Sequence, residues 1–174
     1  MVDQIKKILF ASDLTESSVE VFEKTVVLAS QTGASITILH VIEDGSSGSQ
    51  NRMIHLVDSK EYERIRKEGQ EMVKNILIGK QRTIPVIQNA LQKLCDQTNG
   101  KVCGTDDPVV IDAIEVKYGS VPDAITELAE TAGCDLIAMG YYKRGSILKA
   151  LMGRAEKAVM QRSKRPLFLV PLES

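Results

Sequence analysis

Cysteine is scarce in this chain and wrongly spaced for a metal site or a disulfide framework. Cys95, Cys103 and Cys134 are an odd number, no C-x-x-C pair occurs, and neither His40 nor His55 stands at zinc-ligand spacing from them. Reduced thiols in a cytosolic protein are the expectation; whether Cys95 and Cys103 pair is a question for geometry. An excess of one charge is also missing. Lys and Arg number 22 against 23 Asp and Glu, a net charge of −1, so no global field draws the chain to nucleic acid or to anionic lipid. No apolar run reaches the ~18 residues that a membrane span requires. The opening "MVDQIKKILFASD" has neither the apolar core nor the cleavage site of a signal peptide. The expectation is a cytoplasmic protein with neither nucleic acid nor membrane as partner.

Several catalytic and phosphate-binding signatures are missing too. There is no G-x-x-x-x-G-K-[ST] and no G-x-G-x-x-G. The turn Ala11-Ser12-Asp13-Leu14-Thr15 lacks the first carboxylate of the D-x-D-x-T phosphatase nucleophile. It also lacks the acidic pair with which a phospho-receiver holds its metal.

What the chain does have is 43% hydrophobic residues in 174, enough for one domain with a real core. Short apolar runs alternate with helical spacing. Strands are expected at 7–12, 35–42, 109–119, 135–140 and 166–171. A helix over 17–31 turns Val19, Phe22, Val26 and Ala29 inward, with Thr15 or Ser17 as cap and Gly33 beyond its end. After a loop at 43–51, helical spacing runs through about 57–79, is interrupted at Pro85, and resumes over 86–97, with a turn region at 98–108. A helix over 120–133 has Ser120 as cap, Pro122 in its first turn and Asp123 at capping-box spacing. The last helix is expected at 147–162, with Leu148, Leu151, Ala155 and Val159 on one face.

This β-α-β-α-β-α-β-α-β order predicts an α/β fold, a five-stranded parallel sheet with helices on both faces. Ligands of such sheets bind beyond the carboxyl ends of the strands, where the strand order reverses. The residues there are Ser12 and Asp13, Val41 and Glu43, and the stretch from Gly140 to Arg144. Asp13 could accept hydrogen bonds from a ribose or base, or could cap the following helix. The glycines of "GYYKRGSILKALMGRAEK" (140–157) could admit phosphate to the backbone, or form an ordinary turn. Lys143, Arg144, Lys149 and Arg154 could attract an anion, or be solvated charge balanced by Glu156.

The segments "KILFASDLTESSVEVFEKTVVLA", "ITILHV", "GSVPDAITELAETAGCDLIAMG" and "GSILKALMGRAEKAVMQRSKRPLFLVP" together resemble a universal stress protein domain. The resemblance implies one Rossmann-like domain over 1–174, of the adenine-nucleotide alpha-hydrolase-like kind, with a helical segment inserted at about 80–105. It implies a homodimer through the C-terminal edge strand, unknown protein partners, and a non-enzymatic role in stress signalling. Many members of the family bind ATP through Gly-x2-Gly-x9-Gly-[Ser/Thr]. Here Gly140 and Gly153 match the first and third glycines, while Lys143 and Arg154 replace the second glycine and the hydroxyl residue. By the same resemblance Asp13 meets ribose, the Val41 backbone meets the adenine edge, and Ala11 and Met139 line the base pocket. ATP or another adenine nucleotide is thus the implied cofactor, with Mg only beside ATP. A ligand-free dimeric module and a slow ATP hydrolase are the alternatives.

Overall fold

The computed structural model describes residues 4–43, 84–85, 87–89, 91–101, 108–142 and 153–172. The expected loop over 44–51, the helix at about 57–79, Cys103, Lys143, Arg144, Lys149 and the first part of the 147–162 helix lie outside these residues.

Five strands form one sheet: β1 (Lys7–Ser12), β2 (Ser35–Ile42), β3 (Ile111–Tyr118), β4 (Leu136–Tyr142) and β5 (Leu167–Leu172). Every pairing is parallel and the order is β3-β2-β1-β4-β5. The chain therefore winds outward from β1 to one edge, returns beside β1 with β4, and winds to the other edge. The reversal falls between β1 and β4, where Ala11 faces Met139 in register. Asp135, in the turn before β4, sets these two strands side by side. Its Oδ2 accepts the Lys6 and Lys7 amides at 2.9 and 3.0 Å.

The helices are α1 (Glu16–Thr32), α2 (residues 91–101, with 84–85 and 87–89 also helical), α3 (Val121–Thr131) and α4 (Arg154–Arg162). Side chains alternate across each strand, so each face acquires its own core. Ile8, Phe10, Ile36 and Ile38 meet Phe22 and Val26 of α1 and Leu91 and Cys95 of α2. Leu9, Leu39, Ile137 and Met139 meet Ile125 and Leu128 of α3 and Val159 of α4. Cys95 and Cys134 are free, buried thiols. None of the described helices is long and apolar enough to cross a membrane.

Several local expectations are corrected. Val19 is exposed, and α1 buries Val21 in its place beside the expected Phe22, Val26 and Ala29. Thr15 is the N-cap of α1 and Ser120 that of α3, but neither side chain makes a capping hydrogen bond. Pro85 is helical, and α2 continues through 98–101, where the sequence predicts a turn. Asn99 explains that continuation: its side chain bonds both the carbonyl and the amide of Val109, at 3.1 and 3.2 Å, and pins the approach to β3. The last helix starts at Arg154, because Gly153 is extended (φ −63°, ψ 173°) and serves as its N-cap. Gly33 does end α1, in the left-handed conformation (φ 70°) that favours glycine, with its amide on the Ala29 carbonyl.

Candidate functional site

A cavity of about 600 Å³ opens at the carboxyl ends of the strands, where β1 and β4 part. Its wall on the α3/α4 side is apolar: Ala11, Leu39, Val41 and Met139 from three strands, with Val121 and Ile125 from α3. These side chains lie together because odd positions of β1, β2 and β4 share one face of the sheet.

The polar side is built by the β1–α1 turn. Asp13 Oδ1 accepts both the Thr15 amide at 3.0 Å and the Thr15 hydroxyl at 2.7 Å. Both bonds use Oδ1, so Oδ2 keeps its acceptor capacity. Ser12 Oγ accepts the Leu14 amide at 3.2 Å, and the Ser18 hydroxyl donates to the Thr15 carbonyl at 2.8 Å. These bonds hold Leu14 at φ 62°, a left-handed conformation that costs a branched side chain about 1–2 kcal/mol. His40 Nδ1 lies 2.8 Å from the Ser12 carbonyl. A carbonyl only accepts, so Nδ1 carries the proton and Nε2 is the nitrogen left over.

The third side is the start of α4, with Gly153, Arg154, Ala155 and Glu156. Gly140, Tyr142 and Leu172 complete the lining from β4 and β5. The described charged groups on the cavity are the carboxylates of Asp13, Glu43 and Glu156 and the guanidinium of Arg154. Among the described residues no group of three or more His, Cys, Asp and Glu is placed to hold a metal ion.

The two motif glycines have structural reasons of their own. A Cβ on Gly140 would stand 2.6 Å from Leu172 Cδ1 and 3.0 Å from Val21 Cγ2. A Cβ on Gly153 would collide with the Glu156 carboxylate. Gly140 therefore allows β5 and α1 to close against β4, and Gly153 leaves room for Glu156 to fold back.

Of the eight site residues expected from sequence, seven line this one cavity: Ala11, Asp13, Val41, Met139, Gly140, Gly153 and Arg154. Lys143 lies outside the described residues. Sequence reasoning includes Tyr142 in the stretch from Gly140 to Arg144 but gives it no role, and it does not place His40 or Glu156 at the site. Tyr142 and His40 sit near the carboxyl ends of their strands, and a fourth strand extended from 140 to 142 puts Tyr142 at the mouth. Glu156 reads as a surface counter-charge in the sequence because apolar spacing alone starts the last helix too early.

The architecture is that of a doubly wound α/β domain with a cavity at its topological switch point. Residues 4–171 match the Universal stress protein family, and the chain belongs to it. No curated protein matches the chain. The fold is shared with a universal stress protein in complex with cAMP (17% identity, 97% of this chain and 98% of that one, TM-score 0.59). It is shared also with the universal stress protein UspA from Lactobacillus plantarum (16% identity, 97% and 99%, TM-score 0.57). A third is a member of the family from Burkholderia pseudomallei (13% identity, 99% and 100%, TM-score 0.54).

Proposed function

We propose that this universal stress protein is a non-enzymatic stress-response module that binds an adenine nucleotide in the switch-point cavity and signals as a homodimer joined through β5. The observation that carries the reading is the convergence of seven residues expected from the sequence and its family resemblance, from β1, β2, β4 and the start of α4, on one cavity of about 600 Å³. The cAMP complex of a protein with the same fold supports an adenine ligand.

The residues suit the nucleoside half of such a ligand. A purine is flat and largely apolar, and the wall of Ala11, Leu39, Val41, Met139 and Ile125 offers it a dry surface. Asp13 presents Oδ2 as a charged acceptor for a ribose hydroxyl. The main chain at Val41, near the end of β2, would meet the adenine edge. The phosphate end fits less well, since protein groups already stand over both motif glycines. The role these residues suit is binding rather than hydrolysis.

Calorimetry and thermal shift with adenosine, AMP, cyclic AMP and ATP test the reading. The expected result is measurable heat and a raised Tm with at least one of them. Ligand at ~100 times Kd adds roughly 2.7 kcal/mol to stability, so millimolar concentrations suffice for weak binders. Silence with all four would overturn the nucleotide reading and leave the dimeric module. Release of phosphate from radiolabelled ATP well above a buffer control would overturn the non-enzymatic one.

A further inference from the structure

The start of α4 is where the phosphates of a nucleotide in this cavity would be expected to lie, and a protein carboxylate is already there. Gly153 is the N-cap of α4 and Glu156 is the third residue of the helix. The Glu156 carboxylate folds back over the cap: Oε2 overlaps the space of a Gly153 Cβ, with Cδ 3.0 Å from the same point. No side chain caps this helix end at Gly153. The partial positive charge of the first turn therefore faces Glu156 before any ligand arrives. The neighbouring charges add to the effect. Asp13 and Glu43 line the same cavity, and Arg154 is the described cation among them, with His40 also on the lining.

We propose that Glu156 is a specificity-determining residue, a built-in anion that turns the cavity toward adenosine and adenosine monophosphate and against the di- and triphosphate. The assignment rests on the adenine-nucleotide reading and deepens it. A phosphate approaching Gly153 has two options: it displaces the carboxylate from the helix start, or it settles beside a like charge. Both options cost binding energy, and the cost grows with each phosphate added to the chain. The nucleoside half lies against the apolar wall and Asp13, away from Glu156, and is untouched by this penalty.

The test is calorimetry without magnesium, using adenosine, AMP, ADP and ATP against the full chain and against Glu156→Gln. The glutamine keeps the side-chain size and removes the charge. Glu156→Ala serves as a second variant, and a thermal melt confirms that each is folded. A charge at a partly buried helix start is worth up to about 2 kcal/mol, or up to about 30-fold in affinity. The wild-type chain is expected to bind ATP at least about 10-fold more weakly than AMP. Glu156→Gln is expected to recover about 10-fold for ATP while adenosine stays within about twofold. The proposal is overturned if the wild type binds ATP as tightly as AMP, or if the ATP-to-adenosine ratio is the same in both forms. Absence of binding by all four ligands, to either form, would remove the nucleotide reading and this assignment together. Binding of adenosine with an unmoved ratio would remove the role of Glu156 alone.

Discussion

Tyr142, the last residue of β4, meets Thr15 hydroxyl to hydroxyl at 3.2 Å across the mouth of the cavity. The Thr15 proton is committed to Asp13 Oδ1 at 2.7 Å. Tyr142 must therefore be the donor, and a line of bonds runs from Tyr142 through Thr15 to Asp13. The strand on one side of the switch point thus fixes the carboxylate on the other. The orientation of Asp13 is a product of tertiary structure and not of its own turn alone.

That arrangement separates two roles for Asp13. Asp13→Ala removes the acceptor of the Thr15 amide and should cost about 1–2 kcal/mol in urea denaturation. Asp13→Asn can keep its carbonyl oxygen on Thr15 and should cost less than about 0.5 kcal/mol. It then has an amide group, a donor, where Oδ2 was. Adenosine should bind the Asn variant at least about fivefold more weakly, since a charge-assisted bond is worth ~1.5–3 kcal/mol. Unchanged adenosine affinity in Asp13→Asn would leave Asp13 as a turn residue only.

Gly140 is expected to behave as a packing residue. Gly140→Ala drives a methyl into Leu172, which is 2% exposed and has little room to yield. Overpacking of this kind costs about 1–3 kcal/mol. Leu172→Val withdraws the colliding carbon, so the double variant should be more stable than the sum of the two single losses implies. Strict additivity in a denaturation cycle would show that the collision is relieved elsewhere.

Much of this architecture is legible in the sequence, for identifiable reasons. The continuous burial of Ile8, Leu9 and Phe10 along β1 follows from a sheet covered on both faces, and Gly33 marks the end of α1 because a left-handed cap favours glycine. The class of the cavity residues follows from the position of strand ends. What is not legible depends on partners distant in the chain. Val19 fits a helical stripe as well as Val21 does, and only the position of the sheet decides between them. The apolar spacing through Ala155 and Val159 continues back across Gly153 without a break, so periodicity alone hides the start of α4. Gly140, a poor strand former, conceals the two further strand residues Tyr141 and Tyr142. The opposition of Glu156 to Gly153 needs that helix start, and is lost with it.

The buried thiol of Cys95 makes a prediction about alkaline stability. Burial, with a smaller contribution from the Asp96 charge, pushes it up to about 12 from an ordinary 9.0. Burial pushes the Cys134 thiol up as well. Between pH 9 and 12 the folded chain retains protons that the unfolded chain has released. Unfolding is then favoured as pH rises, so the contribution is complete below about pH 9 and is lost through the folded value near 12. Denaturation midpoints should fall over that window, and less steeply in Cys95→Ala. In the native state at about pH 8, Cys95 should resist a thiol-specific reagent and react at the rate of global unfolding. Rapid labelling without unfolding would contradict the burial argument.

The two edges of the sheet are not equivalent, and the difference bears on where the proposed homodimer would join. At β3, Gln88 of the α2 segment donates to the Ile114 carbonyl at 3.2 Å, and Asp112 pairs with Lys7. A side chain already occupies that edge, one of the devices by which proteins discourage strand addition. β5 pairs with β4 along one side, and its Leu167, Phe168 and Leu169 are only half-buried. Pro166 before the strand and Pro171 within it limit any ladder to a short central stretch. A second copy should therefore add at β5 and not at β3. Sedimentation over a concentration series at micromolar levels should show a monomer–dimer equilibrium or a stable dimer. Hydrogen exchange should show concentration-dependent protection of outward-facing amides in 167–170, with none gained in 111–118. A monomer throughout the range, or protection gained at β3, would reject the β5 interface.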